Sequence, residues 1–381
     1  MSCFFYVSDS FPPVPGGSSV INQNLLEQFN QEEFFILTTY KIGLKKGLQF
    51  KLSNTIYLNF ELLFLPNKLA VPSFLLARII TRYRLLFIAK IKSPKAIVVA
   101  YPQLVTLDAS QWVSEKLNIP FFPYLHDTIV ESLSDTPLEK YGNKVQSKVF
   151  RTASHIFVMS EGMQRLYEGK YNIKTTPILH IYPEEFTAIK RVTNESNQVF
   201  WGGAIYRINH VALSRLLCVC KELSLDILCA TNPSEKMLEK FSYPLDTMRF
   251  EFYSNRKDYI DVLKTNKFLL LALNWPEETS VDRDEISTIF PTKVAEYLNS
   301  GVPIIVHCPE HYFMAKFFMK YDCGLVLGTR DSFTMKSKIQ SLLQDGERLD
   351  QLVTNAGAAA DMFRPEINSG ILKKFLSIRN I

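Results

Sequence analysis

Phe290-Pro291-Thr292-Lys293-Val294-Ala295-Glu296-Tyr297-Leu298-Asn299-Ser300-Gly301-Val302-Pro303, followed by Ile304-Ile305-Val306, is the stretch on which the reading of this chain turns. It predicts a short helix with Lys293 and Glu296 one turn apart on the same face, ended by Gly301 and followed by a buried strand. An exposed Lys/Glu helix pair is ordinary and stabilises by only a few tenths of a kcal/mol. Here Pro291 precedes the pair and Gly301-Val302-Pro303-Ile304-Ile305 follows it, so a cation and a carboxylate are presented together near a helix start. That pairing suits a ligand with phosphates at one end and a diol at the other, the chemistry of a nucleotide sugar.

Outward from this stretch, apolar runs of strand length alternate with helix-period segments along almost the whole chain. In the first half the predicted strands are Phe4 to Val7, Phe34 to Thr38, Ala96 to Ala100, Pro120 to Leu125, His155 to Met159 and Pro177 to Ile181. Helical patterns lie at Val20 to Phe29, Val105 to Leu117, Lys144 to Thr152 and Gly162 to Gly169. The strands are continuous apolar runs, which indicates a parallel sheet covered on both faces. A polar stretch from Thr187 to Gln198 interrupts the pattern. Alternation restarts with Val199 to Trp201, Leu225 to Cys229, Arg249 to Tyr253, Phe268 to Leu273, Val302 to Val306 and Gly324 to Leu327. The expected fold class is α/β, two tandem Rossmann-like domains with a linker near residues 183 to 198. A long helical region from Ser332 to Met362 precedes the last segment. The expected boundaries are 1–187 and 188–362, with a C-terminal tail at 363–381.

A chain of 381 residues is long enough for two domains that each bury a core. Its six cysteines, Cys3, Cys218, Cys220, Cys229, Cys308 and Cys323, form no Cys-x-x-Cys pair. Cys218 and Cys220 fall in a helix-like apolar run and read as core thiols. The first residues, with Phe4 to Val7 as a strand, are too short for a signal peptide, and no apolar run approaches the roughly 18 residues of a membrane span. A reduced, cytoplasmic protein is expected.

The net charge of +5 conceals an asymmetry. Between Phe34 and Leu107 the only acidic residue is Glu61, against eleven lysines and arginines that run from Lys41, Lys45, Lys46 and Lys51 to Lys92 and Lys95. From Lys68 to Lys92 these cations interleave with Phe74, Leu75, Leu76, Ile79, Ile80, Leu85, Leu86, Phe87, Ile88 and Ile91. Two readings fit: an amphipathic helix on an anionic membrane surface, and a solvated basic face over a normal core. No nucleic-acid-binding motif accompanies the charge, and nucleic acid is not an expected partner.

The stretch from Phe290 to Val306 resembles the donor-binding signature of GT-B glycosyltransferases of the family 4 type. The resemblance covers most of the second domain and leaves thinner traces in the first. It implies that Lys293 holds a diphosphate and that Glu296 accepts hydrogen bonds from a ribose, with Thr292 among the donor-binding residues. It also implies a tail that crosses back to the first domain. In open parallel sheets ligands lie beyond the carboxyl ends of the strands. After the first strand comes Ser8-Asp9-Ser10 and then Gly16-Gly17, where paired glycines let backbone approach an anion at a helix start; relatives carry a Gly-Gly loop here that borders acceptor and donor phosphates. Trp201-Gly202-Gly203 opens the second domain, and Gly202, Gly203 and Arg207 are donor-side candidates, Arg207 as a bidentate phosphate ligand. Thr288 stands where many relatives carry a second glutamate, so Thr288, Ser287 or Glu285 would serve the sugar hydroxyls. His126 matches a histidine that contacts the donor sugar in similar enzymes, with Asp127 fixing its tautomer. Ser160-Glu161-Gly162-Met163 resembles another turn of the family, with Ser160 as a helix cap. His307 and His311 have a spacing that suits metal ligation on a helix, which Pro309 opposes.

The resemblance implies transfer of a sugar from a nucleotide-sugar donor to a saccharide or lipid-linked acceptor, with retention and without metal or other cofactor. Lys293 and Arg207 would neutralise charge on the departing diphosphate, and His126 would position the donor. The setting expected is cell-surface glycan or polysaccharide synthesis at the inner face of a membrane. Two other readings stay open: a GT-B nucleotide-sugar epimerase or hydrolase, and a non-catalytic glycosyltransferase-like partner protein.

Overall fold

The computed structural model describes residues 3–12, 17–40, 54–60, 70–101, 103–182, 196–232, 248–253 and 255–377. Its contacts divide the chain into two compact units. One holds Met1–Pro183 together with Pro365–Ile381, and the other holds Glu184–Arg364. Gly16, Lys41, Lys45, Lys46, Lys51 and Lys68 lie outside the described residues.

The first unit runs β1 (Phe4–Val7), α1 (Gly17–Leu26), β2 (Phe34–Tyr40), β3 (Thr55–Phe60), α2 (Ala70–Lys92), β4 (Ile97–Tyr101), α3 (Leu104–Leu117), β5 (Phe121–Leu125), α4 (Glu139–Thr152), β6 (Ile156–Val158), α5 (Glu161–Tyr171) and β7 (Thr175–Pro177). Among the described residues these strands form a parallel sheet in the order β3-β2-β1-β4-β5-β6-β7. The central strands β1, β4 and β5 are buried along their whole length, as continuous apolar runs covered on both faces require. Helices stop where expected: Ser160 accepts from Met163 N at 3.1 Å to cap α5, and Asn118 and Asn172 take left-handed backbone at the ends of α3 and α5.

The second unit runs β8 (Gln198–Gly202), α6 (His210–Glu222), β9 (Asp226–Ala230), β10 (Met248–Glu251), α7 (Arg256–Leu263), β11 (Phe268–Ala272), α8 (Arg283–Thr288), α9 (Val294–Leu298), β12 (Ile304–His307), α10 (Phe313–Lys320), β13 (Leu325–Leu327), α11 (Ser332–Gln344) and α12 (Gly346–Ala360). Its sheet is also parallel, in the order β10-β9-β8-β11-β12-β13. Both orders reverse direction once, between β1 and β4 and between β8 and β11. This is doubly wound Rossmann topology, and the reversal marks where a ligand crevice forms at the carboxyl ends of the strands.

The last helix, α13 (Pro365–Ser377), belongs to the first unit. Leu372 and Leu376 join that unit's core, and Phe375 stacks on His155 with centroids 4.3 Å apart. The tail thus crosses back, as the resemblance implies.

Three expectations need correction. β3 was not among the predicted strands. β7 is Thr175–Pro177 rather than Pro177 to Ile181: Ile178 N makes a last bond to Val158 O, and Leu179 N turns away to Asn368 Oδ1 on α13. The helical region from Ser332 to Met362 is two helices, because Asp345 accepts from Arg348 N at 2.9 Å and so starts a second helix after the first ends.

Candidate functional site

Lys293 immediately precedes α9, and its side chain crosses to the carboxyl end of β8. Its Nζ donates to Gly202 O at 2.7 Å and lies 3.3 Å from the Trp201 ring centroid. One turn on, Tyr297 Oη accepts from Gly202 N at 2.9 Å. Lys293 and Tyr297 therefore hold both backbone polar groups of the residue that ends the switch-point strand. Gly202 is required here, since an added Cβ would run into Tyr259 Oη and come within 3.0 Å of Phe200. Gly203 follows with φ +96°, and Gly301 turns the chain into β12 with φ +76°. Trp201 is buried and its Nε1 donates to Gly203 O at 3.0 Å, which fixes the indole face that Lys293 covers.

Burial pushes the Lys293 ammonium down to about 7, against the opposing influence of nearby Cys229 and Glu296. Contact with Trp201 and one carbonyl does not replace the water lost, so desolvation wins. The side chain keeps partial solvent contact, which tempers the shift. The Gly202 bond uses one of three ammonium hydrogens. An anion arriving at the end of β8 would meet a cation whose charge it would itself stabilise.

Glu296 pairs with Arg256 at the start of α7, with 2.7 Å between Nη1 and Oε1. Arg256, Tyr259, Trp201 and Tyr297 complete a cluster around the Lys293 and Glu296 pair. Arg207 is exposed on the turn before α6, and its guanidinium has no partner among the described residues; no contact joins it to Lys293 there. Asn274, at the end of β11, holds that turn by donating to Arg207 O at 2.9 Å and accepting from Ala212 N at 2.9 Å. Thr292 is exposed. Ser287 and Thr288 donate to carbonyls of their own helix, Ser287 to Asp284 O at 3.0 Å and Thr288 to Glu285 O at 2.9 Å, with Glu285 half-buried beside them.

In the first unit, Gly17 opens α1. His126 follows β5 and is buried against Tyr124, ring centroids 4.4 Å apart. Burial, reinforced by His180, lowers its pKa to about 3, so the imidazole is neutral. Neither ring nitrogen has a hydrogen-bond partner among the described residues; Asp127 is reached by solvent, yet the protein around it raises its carboxyl to about 6 by desolvation. The expectation that Asp127 fixes the His126 tautomer is therefore corrected. Asp9, after β1, is buried and accepts from Thr39 and from Thr106 Oγ1, the latter at 2.7 Å. His307 uses both nitrogens within the protein: Nδ1 donates to Leu327 O at 2.8 Å, and Nε2 accepts from Arg215 at 3.1 Å. The chain has one Asp-x-Asp, Asp282-Arg283-Asp284, and Asp282 Oδ1 accepts from Asp284 N and Glu285 N, so it caps α8.

No family model and no curated protein sequence matches this chain. Solved structures do. Sucrose-phosphate synthase from Thermosynechococcus elongatus superposes with TM-score 0.71 at 13% identity over 98% of both chains. Anabaena HepE in complex with UDP does so with TM-score 0.70 at 11% identity, over 99% of this chain and 100% of that one. MurG of Acinetobacter baumannii gives TM-score 0.55 at 10% identity, over 98% and 99%.

The chain has the GT-B fold.

HepE has also been crystallised with UDP-glucose and with UDP and glucose. Within the GT-B fold of this chain, the second sheet carries Lys293 at the carboxyl end of its switch-point strand, where its topology puts a ligand crevice. Sequence reasoning missed Arg256, Tyr259 and the part played by Tyr297. Arg256 had a weak signal, an N-terminal helix position after the cap Asn255. Tyr259 had none, since a tyrosine within a helix pattern reads as packing.

Proposed function

We propose that the chain is a glycosyltransferase that moves a sugar, of hexosyl type, from a nucleotide-sugar donor to a saccharide or lipid-linked acceptor. The observation that carries this reading is the Lys293 ammonium, desolvated over Trp201 at the end of the switch-point strand, with Glu296 one turn away. The likeness to HepE, crystallised with UDP and with UDP-glucose, supports a nucleotide-sugar donor. In this reading Lys293 neutralises charge that develops on the departing diphosphate, and Glu296 receives the ribose hydroxyls after parting from Arg256. Arg256 is a further cation for phosphate. Arg207 is a second cation for the diphosphate, and Gly202 and Gly203 let backbone approach it. Thr288, Ser287 and Glu285 serve the hydroxyls of the donor's sugar, His126 positions the donor, and Gly17 belongs to the loop for the acceptor and phosphates. We further propose retention of configuration, no metal or other cofactor, and a role in cell-surface glycan or polysaccharide synthesis.

A thermal-shift panel of nucleoside diphosphates and nucleotide sugars tests the donor site. Ligand at a hundredfold excess over Kd stabilises by about 2.7 kcal/mol. One nucleotide should raise Tm in the wild type and lose that effect in Glu296→Ala. Activity retained in chelator and an unchanged anomeric configuration by NMR would uphold the remaining points. Donor consumed without any acceptor would point instead to a hydrolase or epimerase. Thr288 favours a second reading, a non-catalytic partner protein, since its hydroxyl bonds to its own helix where a carboxylate is expected. In that case no nucleotide shifts Tm, and Lys293→Ala is without effect.

A further inference from the structure

Helix α2 has two apolar faces, and its own unit uses one. Phe74, Thr81, Leu85 and Ala89 are buried toward the core, and Arg78 and Arg82 turn inward onto Asp108 of α3. Leu76, Ile79, Ile80, Tyr83, Phe87 and Ile91 are all exposed, Phe87 at 66% and Ile91 at 62%. At 3.6 residues per turn these six fall within about 120° of the helix circumference, one stripe several turns long with exposed Lys90 set among them. Tyr83 packs against Trp112 of α3, ring centroids 5.6 Å apart, and brings an indole to the stripe's edge.

Single exposed apolar residues are normal, but a contiguous apolar stripe on one helix marks an interaction surface. Charge identifies the partner. The helix has no acidic residue, and its exposed cations are Arg84, Lys90 and Lys92. An apolar strip with cations beside it and aromatic rings along it is the pattern that lies in a bilayer interface. A second copy of the chain across a two-fold axis would set these cations against one another without a compensating carboxylate. No described helix is long and apolar enough to cross a membrane, so the contact is one of a helix lying flat.

We propose that the outward face of α2 is a docking surface for an anionic lipid bilayer. Leu76, Ile79, Tyr83, Phe87 and Ile91 enter the headgroup and acyl boundary, and Arg84 and Lys90 meet anionic headgroups, while Lys92 turns away over the Phe35 ring of β2. This does not rest on the catalytic reading, since none of these residues belongs to the second unit.

The full-length protein is floated with vesicles of phosphatidylcholine alone and of phosphatidylcholine with phosphatidylglycerol, at low and high salt. Binding is expected only to the anionic vesicles. It should fall roughly fivefold for each of Arg84→Gln and Lys90→Gln, and at least about tenfold in the double variant Phe87→Ser, Ile91→Ser. Both apolar positions are exposed, so the variants' Tm should match the wild type, and nucleotide-induced thermal shifts should be unchanged. No flotation with either vesicle overturns the proposal, as does equal binding to both. Sedimentation velocity gives the remaining outcome: a dimer abolished by Phe87→Ser with Ile91→Ser, without vesicle binding, would assign the stripe to a second copy and also overturn it.

Discussion

If an anion binds beside Lys293, its binding must be coupled to a proton. The free ammonium is held down at about 7 by burial, whereas an unfolded lysine titrates near 10.5. At pH 8 only about a tenth of the free protein would then carry the charge. A diphosphate at the end of β8 restores the ammonium, so binding should take up close to one proton at pH 8, about half a proton at pH 7 and almost none at pH 6. If the bound pKa stays above about 10, affinity should fall roughly fiftyfold between pH 7 and pH 9; solvent contact of the side chain reduces this toward tenfold. Calorimetric titration of a nucleoside diphosphate in two buffers of different ionisation enthalpy reads the proton count directly. Lys293→Met should bind more weakly and show no uptake. In the free protein the linkage has the opposite outward sign. The folded state holds fewer protons than the unfolded one between about pH 7 and 10.5, so this residue's contribution to stability rises with pH through that window. Equal nucleotide affinity at pH 7 and pH 9, with zero uptake at pH 8, would refute the assignment of Lys293 to the phosphate site.

Gly202→Ala should destabilise the second unit by about 1–3 kcal/mol, because the new methyl displaces Tyr259 and presses on Phe200; thermal denaturation should show part of that loss recovered in Gly202→Ala with Tyr259→Phe. Asp108→Asn should cost the first unit about 3 kcal/mol in chemical denaturation, since the carboxylate is buried and answers both Arg78 and Arg82. Arg256→Ala breaks a partly exposed pair with Glu296, so unfolding stability should move by less than about 1 kcal/mol, while nucleotide affinity should drop about tenfold. An affinity equal to wild type would leave Arg256 as a surface ion pair only.

The sheets were legible because their strands advertise themselves. Phe4 to Val7, Phe121 to Leu125 and Phe268 to Leu273 are apolar without interruption, and only a parallel sheet covered on both faces hides such runs. β3 was missed for the complementary reason. It lies at the sheet edge, its Thr55 and Ile56 are half-buried and Tyr57 is exposed, so it lacks the continuous signal of a central strand. The place where β7 ends depends on Asn368, 189 residues further on, and no local pattern carries that information.

The candidate site divides along the same line. Lys293 and Glu296 could be found because their spacing is local and their flanks, Pro291 and Gly301, mark helix boundaries that any reader of the sequence can use. What makes Lys293 chemically unusual is not local at all. Its ammonium reaches a carbonyl 91 residues away, and its partner ring Trp201 sits there only because β8 lies beside β11 at the point where the strand order reverses. A lysine at the same sequence position on an exposed helix would be fully hydrated and would titrate near 10.5. The same separation explains His126. The sequence offers His126 next to Asp127 and suggests a pair, yet adjacent residues at a strand's end point in opposite directions. The imidazole is turned inward against Tyr124, and neither of its nitrogens is bonded to the neighbouring carboxylate. Sequence spacing therefore named candidate groups in both units. The burial that sets each group's protonation came from chain segments far away, and the pH dependence of binding is accordingly the property by which the fold itself, rather than the motif, can be tested.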